Sequence, residues 1–254
     1  MNVNTKGTGS NANNRPDKQV NVRESYLNDD YLVIRQALDQ TCVDILAGEC
    51  DRLSADEENF DQLIAARKNL DGRLVRDRLD PLSRISEVFK ELSNNNAITS
   101  IVSNLFDGDC HLFKDKLIYK PPGTTGYLLH QDYTRYSFTG IPASDILSVM
   151  IPTDPATEQS GAITIFSGYT DKILPAPPGD PYAADPSAVN LDEGIMIELE
   201  PGDLLLFHSA APHLSGPNLT HHPKRAAFIT YNHGKYGQQY NHYYAGREST
   251  YSNE

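Results

Sequence analysis

Cysteine, positive charge and long apolar runs are all in short supply in this chain of 254 residues. Its three cysteines, Cys42, Cys50 and Cys110, form no CxxC pair and leave an odd thiol. That excludes a disulfide framework and a cysteine zinc site, and reads as free thiols in a reducing cytoplasm. The net charge of −12 argues against a nucleic-acid binder and against a polybasic membrane anchor. An acidic exterior still leaves an anionic substrate open, because a local basic pocket overrides it. No apolar run is long enough to span a bilayer. The opening stretch MNVNTKGTGSNANNRPDKQ has no hydrophobic region of the signal-peptide kind, and residues 1–22 read as a disordered leader. Residues 23–254 are expected to form a single domain, since 39% hydrophobic and 22% charged residues are ordinary for a globular protein. The expected partner is a small molecule, with no nucleic acid and no membrane, and the chain is expected to act as a monomer or homodimer.

What is present falls into two halves. Tyr31-Leu32-Val33-Ile34 reads as a first strand. Asp39 then serves as N-cap to a helix carrying Val43, Leu46, Ala47, Cys50 and Leu53 at helical spacing. The charged segment Ala55 to Asp80 reads as a short helix or a loop. Asp80-Pro81 is a helix-start signal, followed by the stripes Ile85, Val88, Phe89, Leu92 and Ile98, Ile101, Val102, Leu105. From Cys110 onward come short strands separated by Pro and Gly. Candidates are His111–Lys120, Asp145–Ile151, Ala162–Phe166, Gly194–Leu199, Asp203–His208 and Arg225–Tyr231. Helices first and many short strands afterwards predict an α+β fold. Its core is a double-stranded β-helix (a jelly roll, cupin-like) with the N-terminal helices packed on one sheet. The Pro-rich insert from Pro175 to Ala188 is too long for a hairpin turn and reads as a lid or a mobile loop. The tyrosine-rich tail, with Tyr236, Tyr240, Tyr243 and Tyr244, packs on the domain or at a dimer contact.

The chemistry concentrates in Leu128-Leu129-His130-Gln131-Asp132-Tyr133. On a strand, residues i and i+2 point the same way, so His130 and Asp132 offer a nitrogen and an oxygen to one point. That is two-thirds of the 2-His-1-carboxylate arrangement that holds non-haem Fe(II) with open positions. A third ligand from a distant strand is supplied by PGDLLLFHSAAPHLSGPN, where His213 is preferred and His208 is second, read as a wall residue. Past His213, Arg225 opens the strand RAAFITYN. Its planar fork suits the remote carboxylate of 2-oxoglutarate, a co-substrate that fills two further metal positions. Ser215, two residues past His213, adds a hydroxyl on the same face. Lys224 is adjacent to Arg225, and a frame slip of one residue swaps them. Lys114, Lys116, Ile118 and Lys120 share one strand face; either a lysine enters the pocket, Lys120 among them, or all three are solvated. Tyr127, Tyr133, Tyr136 and Phe138 either line the substrate side or pack in the core.

His130-Gln131-Asp132, SGAITIFSGYTD, and PGDLLLFHSAAPHLSGPN followed by KRAAFITYN resemble the phytanoyl-CoA dioxygenase family, over roughly Tyr31 to Asn232. The resemblance implies an Fe(II)- and 2-oxoglutarate-dependent dioxygenase with O2 as co-substrate. It implies iron on His130, Asp132 and His213, and 2-oxoglutarate on Arg225 and Ser215. Asp132 stands where halogenating relatives carry a small residue, which implies hydroxylation. FKDKLIYKPPGTTGYLLHQD further resembles the branch acting on small aminoalkylphosphonates. The expected substrate is therefore a small polar metabolite, with an aminoalkylphosphonate or a natural-product intermediate as candidates. Two alternatives stay open: a non-catalytic jelly-roll metal-binding module, and a zinc hydrolase on the same His-Asp-His set.

Overall fold

The computed structural model describes residues 22–55 and 64–251. Apart from Val22, the expected leader lies outside the described residues. In chain order the elements are α1 (Val22–Asp29), β1 (Tyr31–Ile34), α2 (Gln40–Ala55), β2 (Ile64–Lys68), β3 (Leu74–Leu79), α3 (Glu87–Ser93), α4 (Asn96–Phe106) and β4 (Cys110–Lys120). Then come β5 (Tyr127–His130), β6 (Ile146–Pro152), β7 (Ile163–Ile165), β8 (Ile195–Ile197), β9 (Leu204–His208), β10 (His213–Ser215), β11 (Lys224–His233) and α5 (Tyr240–Tyr251).

The strands form a seven-stranded sheet, β1-β9-β6-β11-β4-β3-β2, facing a four-stranded one, β5-β10-β7-β8. Neighbouring strands pair antiparallel throughout, which gives the expected jelly roll. The large sheet is buried on both faces. Leu117, Val149, Ile151, Leu204, Leu206, Ala227 and Ile229 meet Leu46, Phe89, Ile98 and Val102 of the helices. Their odd-and-even counterparts Met150, Leu205, Phe207 and Ala226 meet Ile163, Ile165 and Ile197 of the small sheet. Each fully buried side chain of this size contributes about 1.5–3 kcal/mol, so the two layers hold the sheets in fixed register.

The helices behave as their caps and stripes dictate. Asp39 accepts from the Cys42 amide at 2.8 Å, the expected cap of α2. Asn95 caps α4 through the Ala97 amide, and Ile98, Ile101, Val102 and Leu105 form its buried stripe. Two expectations are corrected. Within the segment Ala55 to Asp80, the described residues form the β2–β3 hairpin, not a helix or loop. Seven of its sixteen positions are charged, and the pairing of Arg67 with Asp77 at 2.9 Å replaces the apolar alternation that marks a strand. Asp80-Pro81 does not start a helix either. The Leu82 and Ser83 amides donate to Asp115, and α3 begins only at Glu87 under the Ser86 cap. The tyrosine-rich tail packs on its own domain: Tyr243 and Tyr244 of α5 are buried against Phe113, Tyr136 and Ile146.

Candidate metal centre and its cavity

β5 and β10 are antiparallel neighbours in the small sheet, and His130 and His213 are directly paired in their register. Two imidazoles some eighty positions apart in the chain therefore stand with ring centroids 4.1 Å apart. Asp132 joins them by a route the strand reading did not foresee. β5 ends at His130, and Asp132 opens a 3-10 turn, Asp132–Arg135, pinned by the Tyr133 amide on Ser209 O at 2.9 Å. The turn, not strand alternation, swings the carboxylate back beside the rings. One donor atom from each of His130, Asp132 and His213 lies within 4.8 Å of the others. His130 Nε2 and Asp132 Oδ1 are 3.9 Å apart.

The donor set fits a divalent cation. His130 Nδ1 is engaged by Leu128 O at 2.8 Å and His213 Nδ1 by Ala211 O at 2.9 Å. With Nδ1 held on a carbonyl, each ring keeps Nε2 for a metal. Burial, helped by the adjacent His213, lowers the His130 pKa to about 3, and burial lowers that of His213 as well. Both rings are thus neutral ligands at neutral pH. Burial opposes the Asp132 charge, but Lys116, His213 and His130 outweigh it and hold the carboxyl well below the usual carboxylate range. His208 lies on β9 outside this set, its Nδ1 accepting from the Ala210 amide at 3.0 Å.

Gln131, between the two ligands, is a buried tie. Its side chain donates to Ala210 O at 2.7 Å and Lys172 O at 3.0 Å, and accepts from the Leu174 amide at 2.8 Å. The Pro-rich insert that follows is docked on the same strand, with the Ala184 amide donating to Leu129 O at 2.7 Å. Within it, Tyr182 lies under the Arg135 guanidinium at 3.7 Å.

Between the sheets, beside the imidazoles, lies a cavity of about 520 Å³, part of it open to solvent. Tyr127, Ile118, Met150 and Phe228 supply its apolar walls, and Lys116, Lys120, Ser215 and Lys224 its polar groups. Tyr136 and Phe138 are not among its lining residues; Tyr136 is a core residue. The strand β4 carrying the lysines belongs to the large sheet, across the cavity from the His130 strand. Far from being solvated, Lys120 is 2% exposed. Its ammonium donates to Ser215 Oγ at 2.9 Å and Gly216 O at 2.7 Å. Lys224 sits opposite Lys120 in the β4–β11 register, and both reach Gly161 O, at 3.1 and 3.0 Å. Gly161 has φ +78°, and a Cβ there would collide with Gly216 O and crowd the Lys120 ammonium. Burial, and secondarily Lys224, pushes Lys120 down to about 6; burial alone takes Lys224 to about 8.

Arg225 is not brought to this cavity. It points to the helix-covered face of the sheet, where Nε and Nη2 grip Asp154 at 2.7 and 2.9 Å and Nη1 meets Asp51. These hydrogen bonds raise its pKa further and commit three of its five donors to Asp154 and Asp51. The frame slip between Lys224 and Arg225 thus falls the other way from the preferred reading. The sequence also passed over Arg78, which pairs with Ile118 in the β3–β4 register and so shares the face of the cavity lysines. Its signal was hidden because β3 itself went unread.

The fold is a jelly roll, and at the mouth of the cavity between its sheets two histidines and a carboxylate form a donor set that fits a divalent cation. The phytanoyl-CoA dioxygenase family model matches residues 26–226, and the chain belongs to that family. It is 31% identical over 157 residues to a 2-aminoethylphosphonate dioxygenase from uncultured bacterium HF130_AEPn_1, covering 62% of this chain and 59% of the relative. It is 29% identical over 163 residues to a methylphosphonate hydroxylase from Gimesia maris, covering 64% and 61%. The match thus spans about three fifths of each relative's own length. Among solved structures, EctD from S. alaskensis with 2-oxoglutarate and 5-hydroxyectoine superposes with a TM-score of 0.75 at 19% identity, over 92% of this chain and 83% of that one. No helix among the described residues is long and apolar enough to cross a membrane.

Proposed function

We propose that this chain is an Fe(II)- and 2-oxoglutarate-dependent dioxygenase that hydroxylates a small polar metabolite bearing an anionic group. His130, Asp132 and His213 hold the iron; Lys120, Lys224 and Ser215 hold the remote carboxylate of 2-oxoglutarate. The observation that carries the reading is the pairing of a neutral-neutral-anionic donor set with a buried two-lysine cradle in one cavity. Ser215 lies two strand residues beyond His213, about 7 Å at the usual rise, which suits a five-carbon dicarboxylate reaching from the metal to the cradle. A zinc hydrolase has no use for such a cradle, and a degenerate module has no reason to keep cradle and ligands together.

Bound iron and 2-oxoglutarate would supply the oxidising chemistry, coupling O2-driven decarboxylation of the oxoacid to succinate and CO2 with hydroxylation of the substrate. The protein's own residues position and shield. The carbonyls of Leu128 and Ala211 fix the two ring orientations. Met150, Ile163 and Phe228 keep the cavity wall apolar, which strengthens every charge pairing inside it. Gln131 ties the residues that lead into the Pro-rich insert, Lys172 and Leu174, to the segment between the two ligands. The relatives named for phosphonate substrates favour an alkyl- or aminoalkylphosphonate over a neutral metabolite, and the free thiols suit a cytoplasmic enzyme.

The test is a screen for substrate-stimulated succinate formation, after anaerobic Fe(II) loading and admission of air. Small phosphonates, amines and neutral alcohols form the panel, and phosphonates are expected to stimulate most. An iron-loaded protein that neither binds 2-oxoglutarate nor forms succinate with any of them would overturn the reading.

A further inference from the structure

β4 carries cations at both ends of the cavity, and the cradle uses only one of them. Lys116 is four residues from Lys120, about 13 Å along the strand, and its ammonium lies 4.0 Å from Asp132 Oδ1 at the metal corner. Lys114, two residues further, is 5% exposed, and its ammonium lies 3.9 Å from Asp80 and over the rings of Tyr136 and Tyr243 at 5.5 and 5.4 Å. Arg78 reaches Asp80 at 3.7 Å and Asp77 at 3.8 Å. Among the described residues, none of these three cations donates a hydrogen bond to a protein group.

Their counter-charges are spoken for. Asp80 is shared with Arg247 at 2.7 Å and accepts from Tyr244 Oη at 2.7 Å. Asp77 already accepts from Arg67 at 2.9 Å and Tyr127 Oη at 2.5 Å. Asp132, the one ion-pair partner of Lys116 among the described residues, becomes a metal ligand in the loaded protein. Buried cations are kept only where an anion or a hydrogen-bond acceptor meets them. The cluster therefore calls for an anion from outside: Arg67, Arg78, Lys114, Lys116 and Arg247 set five positive charges against the three carboxylates Asp77, Asp80 and Asp132, which leaves room for about two negative charges.

We propose that Arg78, Lys114 and Lys116 form the receiving site for a doubly charged tetrahedral oxyanion, the phosphonate group of the primary substrate, on the side of the metal opposite the Lys120–Lys224 cradle. This rests on the dioxygenase reading and adds the substrate's charged end to it. One strand then serves as a ruler: Lys120 meets the co-substrate, Lys116 stands at the metal corner, and Lys114 lies under the aromatic pair. The substrate carbon next to the oxyanion is placed nearest the iron.

The test uses the full chain loaded with redox-inert Zn(II) and saturated with 2-oxoglutarate, which blocks the cradle. Methylphosphonate is titrated in by calorimetry and followed by 31P NMR. It is expected to bind as the dianion, with its second pKa lowered by at least about one unit, as cations within reach demand. Its neutral dimethyl ester is expected not to bind. Lys114→Met should weaken methylphosphonate at least tenfold while 2-oxoglutarate affinity stays within twofold, Lys116→Met should likewise weaken methylphosphonate at least tenfold, and Arg78→Lys should retain part of the affinity. Equal binding of the ester, or undiminished binding by the lysine variants, would overturn the site. Should a variant fail to fold, the ester comparison on the natural chain decides. A chain that takes up neither Zn(II) nor 2-oxoglutarate would sink the dioxygenase reading alone; methylphosphonate binding to the metal-free chain would then judge the oxyanion site separately.

Discussion

Lys224 and Arg225 are neighbours on β11, both cationic and both buried, and they do opposite work. Lys224 faces the space between the sheets and shares Gly161 O with Lys120. Arg225 faces the helices and closes a fork on Asp154, a carboxylate on the loop after β6. The chemistry of the side chain argued for the arginine as the carboxylate clamp, but the phase of the strand decides which cation meets the cavity. A guanidinium fork is equally good at recognising a ligand and at riveting a helix to a sheet. Only geometry tells the two uses apart.

The largest effect should come from the metal corner, which both cations serve only at a distance. Asp132→Ala is expected to abolish iron retention and 2-oxoglutarate turnover, with the melting temperature held within a few degrees. Full turnover in that variant would remove the donor set from the account. Lys224→Met should raise the 2-oxoglutarate KM at least tenfold, equivalent to about 1.4 kcal/mol, and leave the fold intact. Arg225→Met should do the reverse. It leaves Asp154 without its partner and is expected to cost about 2–3 kcal/mol of stability in a denaturant titration. Asp51 is exposed and adds little to that figure. The 2-oxoglutarate KM of Arg225→Met should change less than twofold. Were the two variants to exchange phenotypes, the assignment of faces would be wrong.

Why the sequence misjudged this pair is itself physical. β11 is apolar on both faces: Ala226 and Phe228 look inward while Ala227 and Ile229 look toward the helices. A strand with one wet face announces its phase by alternation; one buried on both sides does not. The same ambiguity hid the lysines of β4. By contrast, His130 stood out because it closes the short apolar run of β5, and His213 because it follows the apolar run of β9 by a few residues, although it opens β10 and does not end a strand. The jelly roll followed from the spacing of such runs between Pro and Gly turns. β3 escaped because Arg76, Asp77 and Arg78 fill the positions where a strand usually shows Val or Ile; Asp77 is met by Arg67 and Tyr127 and Arg76 by the Leu53 carbonyl, partners that spacing along the chain does not announce. Asp132 comes beside the two imidazoles by a route other than the expected one, since a 3-10 turn, and not strand alternation, carries it there.

The smallest expected effect is a proton. Burial and the nearby Lys224 lower Lys120 to about 6, so near neutral pH its amine is largely uncharged until an anion arrives. Binding of the 2-oxoglutarate carboxylate should restore the charge, so affinity should weaken as pH rises from about 6.5 to 8.5. Calorimetry at pH 7.5 in buffers of different ionisation enthalpy should register uptake of up to about one proton per 2-oxoglutarate, and Lys120→Met should remove most of it. Folding stability responds in the opposite direction. The unfolded lysine keeps its proton up to ~10.4 while the folded one releases it near 6, so the unfolded state binds more protons between those values. Stability drawn from this group therefore rises with pH across that window, and Lys120→Met should flatten the rise. Buffer-independent heats in the natural chain would mean that Lys120 keeps its charge in the free protein, and that Ser215 and the Gly216 carbonyl stabilise the ammonium far better than its burial costs.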